Sequence, residues 1–273
     1  MKHWSLILIF LFPWGILGAN PHEGRFEDTE NGHFLHQFIE TSRETLGSEE
    51  MLYRFIDQFG TRSKLKNEKA FLSQLFYQTH KKFLKHYHAT SSFSALFNAG
   101  QYNCLTATAL YALLFDHFEI NYQVVETNYH IFILAEVEGD SVLIESTDPL
   151  HGLVFDQQEI KKRKLEYQKN IPTLSEEGKS IFQYSVQLYR SITLKELLGL
   201  LYYNEAVNAY NLSLYVVSSK LLSKAYQFYH SERLDEFTKL FYLTLKVKVL
   251  SEDEKNQCLL ELNSLGQPIL SLN

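Results

Sequence analysis

Between Tyr122 and Thr147 the spacing of apolar residues changes from threes and fours to twos, and that change most constrains the fold. The segments "NYQVVET", "NYHIFILAEV" and "VLIEST" alternate and are rich in β-branched and aromatic residues, the pattern of strands. "EGDS", 138–141, supplies turn chemistry between the second and the third. Upstream, from Leu35 to Leu96, apolar residues in "FLHQFIETSRETL" and "AFLSQLFYQTHKKFLKHY" recur every three or four positions, which predicts one-sided helices. Helical patterning returns from Thr193 onward. Strands gathered between two helical regions predict an α+β fold. A further alternating run, "IFQYSVQLY" at 181–189, is expected to add a strand.

The stretch "AGQYNCLTATALYALLFD", 99–116, carries the first chemical signal. Asn103 is a good N-cap, and Leu105 to Asp116 form a strongly apolar helix. Cys104 therefore stands where a turn becomes a helix, whereas a packing cysteine more naturally sits inside an apolar run. A thiol becomes nucleophilic as its thiolate, which helix starts and neighbouring imidazolium groups favour. The unpaired N–H groups of the first turn also suit the oxyanion formed when a thiolate attacks a carbonyl.

His130 lies in the next strand but one of this reading, in a run apolar on both faces, so its ring needs polar partners. A thiolate on one nitrogen and a carboxylate on the other would satisfy it and set its tautomer. Two acids compete for that place. With a two-residue turn in "EGDS", Glu145 shares the face of His130 but lies off the direct pairing; with a three-residue turn, Asp148 lies nearly opposite. Cysteine, histidine and acid together make the parts of a thiol nucleophile, its base and an orienting carboxylate.

The chain opens "MKHWSLILIFLFPWGILGAN": a basic start, an apolar run, then Gly18 and Ala19. That order predicts a secretory signal over 1–19 and an exported protein, periplasmic or extracellular. The apolar run is short for a membrane span and contains Pro13, so no stable membrane insertion is expected after cleavage. Net charge is −6 and the only basic block is "KKRK", 161–164, read as a solvated helix face; nucleic-acid binding is disfavoured. No close Cys/His pair has metal-ligand spacing, and no cofactor is expected. Export permits a disulfide between the chain's two cysteines, Cys104 and Cys258, which would make a stapled structural protein.

From Thr193 the sequence resembles a tetratricopeptide-type helical hairpin. Tyr202, Ala206, Tyr215, Ser218, Leu222 and Ala225 fall where such a repeat alternates large and small residues, over one repeat only. A protein partner at this helical region is one expectation, and a plain amphipathic hairpin is the other.

The blocks "YNCLTATALYALL", "ETNYHIF" and "VLIESTDPLHG" resemble the transglutaminase-like superfamily of papain-type fold, over roughly residues 70–155. The resemblance implies a Cys-bearing helix packed on an antiparallel sheet, here with N-terminal helices and a C-terminal hairpin. It also implies a domain over 20–190 followed by a helical region over 191–273. It implies Cys104 as nucleophile and His130 as general base and acid. The third place falls on Glu145 by the family's strand-end pattern, with Asp148 of "DP" left open beside it. Gln101 and Asn103 are the candidate oxyanion- or substrate-binding side chains, although papain-type enzymes place such a Gln further upstream. Many members carry a tryptophan beside the histidine strand, where this chain has Phe132. The implied activity is acyl transfer from peptide or protein amides through a thioester. The competing expectation is an inert papain-like fold that binds a peptide or protein through its helical region.

Overall fold

A computed structural model describes residues 30–42, 49–63, 67–169 and 188–265. The expected signal, 1–19, and positions 181–187 of the alternating run lie outside the described residues.

The apolar run after Cys104 forms α5 (Cys104–His117), in which every residue from Thr106 to Phe115 is buried. A helix apolar all round needs neighbours all round. One side packs on the sheet strands β3 (Tyr122–Thr127) and β4 (Ile131–Val137). The other meets α1 (Glu30–Glu40) and α7 (Leu194–Asn211). The fold is thus α+β, with one antiparallel sheet. Its order is β6-β5-β4-β3-β7, where β5 is Asp140–Ile144, β6 Leu153–Val154 and β7 Tyr189–Ile192. β7 begins at the end of the alternating run.

The strand period sorts side chains onto two faces. Val124, Ile131, Ile133, Ala135, Val142 and Ile144 join the core around α5. Val125, Phe132, Leu143 and Val154 point the other way and are covered by Ile160 and Tyr167 of α6 (Gln157–Gln168). The β4–β5 turn has two residues: Val137 pairs with Asp140, and Glu138 and Gly139 adopt φ of 53° and 80°. Such a turn twists with its strands, and glycine takes the second positive φ without strain. With this register Ile133 faces Ile144, which sets Glu145 on the face of His130 and diagonal to it.

Upstream, α2 (Glu49–Ser63) and α3 (Glu68–Phe83) contribute aromatic side chains to the main core, with Phe55 edge-on to Phe83. A short parallel ribbon of β1 (His86–Tyr87) and β2 (Gln101–Tyr102) leads into α5, with the single turn α4 (Ala95–Asn98) between its strands.

Downstream, α7 and α8 (Tyr215–Phe228) pack as a pair, followed by α9 (Glu232–Val247) and α10 (Glu252–Asn263). All six residues singled out for large–small alternation are buried, and Ser218 donates its hydroxyl to the Ala206 carbonyl at 2.7 Å. Gly199 lets α7 approach Tyr229, since a Cβ there would lie 2.3 Å from the Tyr229 Cβ. The domain boundary expected at 190 falls inside β7, which pairs with β3, and α7 shares the core of α5. Cys104 and Cys258 are both free, so the expectation of a staple gives way to two thiols in different surroundings.

Candidate active site

Cys104 is the first residue of α5, and its place is held by a reciprocal cap. Asn103 accepts from the Thr106 N–H at 2.9 Å, and its own N–H donates to Thr106 Oγ1 at 3.0 Å. The Asn103 amide nitrogen donates to the carbonyls of Ala89 and Ser91, each at 3.1 Å. Asn103, a candidate for oxyanion or substrate binding, lines the cleft beside Cys104 with both ends of its side chain bonded to backbone. Gln101 is exposed on β2 and does not line the cleft beside Cys104. The cap leaves the N–H groups of Cys104 and Leu105 open, as helix starts do.

His130 closes the β3–β4 hairpin and stands one residue before β4, not within it. Thr127 N donates to its carbonyl at 2.8 Å, and its own N–H donates to Thr127 Oγ1 at 3.0 Å. His130 Nε2 lies 2.5 Å from Glu145 Oε2. The same oxygen accepts from the Tyr167 hydroxyl at 3.0 Å, while Oε1 accepts from Thr147 N at 3.1 Å and Thr147 Oγ1 at 2.5 Å. Asp148 turns away and accepts from Leu150 N and His151 N at 3.1 and 2.8 Å. Of the two competing acids, Glu145 is the one in contact with His130.

With Nε2 held by Glu145, Nδ1 is the ring nitrogen left for other partners. Burial would lower the His130 pKa, but the neighbouring Cys104 and the bonded Glu145 carboxylate outweigh it and raise the value to about 10. Burial would likewise raise the Glu145 carboxyl, yet the bonds from His130 and Thr147 bring it below its ordinary value. At neutral pH the pair is therefore imidazolium and carboxylate. Tyr167 tilts over the imidazole with ring centroids 5.0 Å apart, and burial beside Glu145 pushes its phenol pKa up, so it stays a donor.

The hairpin bearing His130 is held from the C-terminal helices. Arg233 on α9 donates through Nη2 to the carbonyls of Thr127 and Asn128 at 2.6 and 3.0 Å. Its Nε lies 3.2 Å from the buried Glu126 carboxylate of β3. Tyr229 donates to that carboxylate at 2.6 Å, and Arg190 Nε lies 3.5 Å from it. Thr147, Tyr167 and Arg233 were not singled out from the sequence. Only Thr147 left a local signal, two positions after Glu145.

A cleft of about 300 Å³ opens at Cys104 and His130, and α7 supplies part of its wall through Leu200, Tyr203 and Asn204. Among the described residues, no group of three or more His, Cys, Asp or Glu side chains is placed to hold a metal ion. Among the same residues, no helix is long and apolar enough to cross a membrane. Comparison with protein families, curated proteins and solved structures finds no match to this chain.

Proposed function

We propose that the protein is a cysteine-dependent hydrolase or acyltransferase of transglutaminase-like, papain-type character, acting on peptide or protein amides. The observation that carries the reading is the His130 ring, bonded to Glu145 at 2.5 Å and sharing one cleft with Cys104 at the start of a buried helix. A lone cysteine or histidine carries no such implication; a thiol, an imidazole and a carboxylate in series are the parts of nucleophilic catalysis.

In this reading the Cys104 sulfur attacks the amide carbonyl carbon and forms a C–S bond. The carbonyl oxygen takes the negative charge, stabilised by the open N–H groups of Cys104 and Leu105. His130 gives its Nδ1 proton to the amide nitrogen, the C–N bond breaks, and the amine leaves a thioester behind. Water, or a second amine, then attacks the thioester while Nδ1 takes its proton, and the acyl group departs from sulfur. Glu145 keeps the ring in one tautomer and stabilises its cationic form. Its own placement rests on Thr147 and Tyr167. The leading segment 1–19 supports action outside the cytoplasm.

The test is an acid-quench experiment with a mixed panel of peptides and peptide amides, followed by intact-mass analysis. The reading expects an acyl adduct confined to Cys104, formed with release of amine and absent in Cys104→Ser. No adduct and no cleavage across the panel, from a protein whose Cys104 alkylates normally, would leave the inert binding fold as the better account.

A further inference from the structure

We propose that the α7 wall of the cleft is a specificity subsite for a neutral, apolar side chain of the acyl donor, with Asn204 donating its amide to a carbonyl beside that side chain. This rests on the amide-cleaving reading above and narrows its substrate class.

Three observations carry it. Leu200, Tyr203 and Asn204 sit at i, i+3 and i+4, one face of α7, and all three line the cleft that holds Cys104 and His130. Leu105 and Ile131 line the same cleft, so hydrocarbon and aromatic surface dominates it. Secondly, the ionised side chains that line the cleft are each paired, Glu126 with Arg233 at 3.2 Å and His130 with Glu145 at 2.5 Å. Their charges are mutually satisfied, and a lysine or glutamate side chain entering here would be desolvated without a counter-charge. A neutral apolar group meets no such penalty.

Thirdly, the Asn204 amide nitrogen is shut off from solvent and has no hydrogen-bond partner. Buried donors are nearly always paired, and an orphan costs stability, so one at the edge of a cleft calls for a functional reason. A carbonyl of a bound amide supplies the missing acceptor once the Asn204 side chain turns toward the cleft, a rotation that breaks no hydrogen bond of that nitrogen. The cleft's volume, about 300 Å³, lies at the small end of ligand sites and suits one side chain with its flanking amides.

The test uses chloromethyl ketones of acetyl-leucine, acetyl-lysine and acetyl-glutamate, in which the Cys104 sulfur displaces chloride to form a thioether. Alkylation rates at Cys104 are read by peptide mapping, with iodoacetamide as the probe that needs no subsite. The leucine probe is expected to react about tenfold or more faster than the lysine and glutamate probes, relative to iodoacetamide. Asn204→Leu, near in shape but without a donor, is expected to slow the acetyl-leucine probe about fivefold. It should leave the iodoacetamide rate unchanged and raise the thermal midpoint, because the orphaned donor is gone. Equal rates for the three probes would overturn the subsite. So would an Asn204→Leu protein that is less stable and slower with both reagents, since Asn204 would then be a structural residue. An iodoacetamide rate indifferent to His130→Ala would overturn the nucleophile reading itself, and the subsite with it.

Discussion

The two cysteines of this chain share a chemistry and differ in everything around them. Cys104 opens a capped helix, faces an imidazole and borders a cleft. Cys258 lies fully buried on α10, and burial pushes its thiol pKa up. Neither is oxidised to a disulfide. Position, not residue type, separates the two: one thiol shares a cleft with an imidazole at a helix start, and the other is enclosed in the main core.

The largest effect expected from this contrast is an exchange of phenotypes. Cys104→Ser should abolish adduct formation and amide turnover while leaving the thermal midpoint close to wild type. Cys258→Ser should retain full reactivity at Cys104 and lose about 1–3 kcal/mol of stability, because a hydroxyl replaces a thiol in an apolar interior. Thermal melts paired with intact-mass labelling check both. A Cys104→Ser protein that fails to fold would make the two cysteines alike after all.

Next in size is the clamp from α9. Arg233→Met removes the nearer of two arginine partners of a buried carboxylate and frees two hairpin carbonyls, and is expected to cost about 3 kcal/mol in denaturant unfolding. Adding Glu126→Gln should restore part of that stability, since the buried charge that lost its nearer arginine is gone. It should not restore the labelling rate of Cys104, because the clamp on the Thr127 and Asn128 carbonyls is still missing.

A smaller effect follows from the raised pKa of His130. The ring takes its proton at about 10 when folded and near 6.5 when unfolded. Its charged form therefore stabilises the fold fully below about pH 6.5, and that contribution fades as pH rises toward 10. Wild type should lose on the order of 2 kcal/mol over this window, after allowance for the solvent that reaches the ring. His130→Gln should flatten the profile in the same range. A flat wild-type profile would place the ring outside the influence of Cys104 and Glu145.

The smallest effect belongs to Tyr167→Phe, which removes one of four hydrogen bonds to Glu145 and keeps the ring over His130. About 1 kcal/mol is expected, read as a labelling rate at Cys104 reduced a few-fold with little change in melting. An unchanged rate would make Tyr167 a packing residue only.

How far these contacts were legible in the sequence depended on how local they are. The cap at Asn103 and the enclosed helix after Cys104 are written in neighbouring residues, and the α+β arrangement follows from the change of period. The choice between Glu145 and Asp148 was not legible, because one residue of turn length exchanges the faces of a strand. The register of β4 on β5 decided it, and the loop after β5 took Asp148 for its own N–H groups. Tyr167 and Arg233 lie beyond sequence reasoning for another reason. Each reaches the site from a helix far along the chain, and the polar pattern around Tyr167 reads as a solvated surface. β7 spans the boundary expected at 190, and Arg233 of α9 holds the hairpin from beyond it.

The most direct test of the central claim is the iodoacetamide labelling rate of each cysteine at pH 6.5, by mass spectrometry, in wild type and His130→Ala. The account predicts Cys104 labelled at least about a hundredfold faster than Cys258 in wild type, and slowed at least about tenfold by His130→Ala with Cys258 unchanged. Comparable rates at the two thiols, or a Cys104 rate indifferent to the loss of the imidazole, would contradict it.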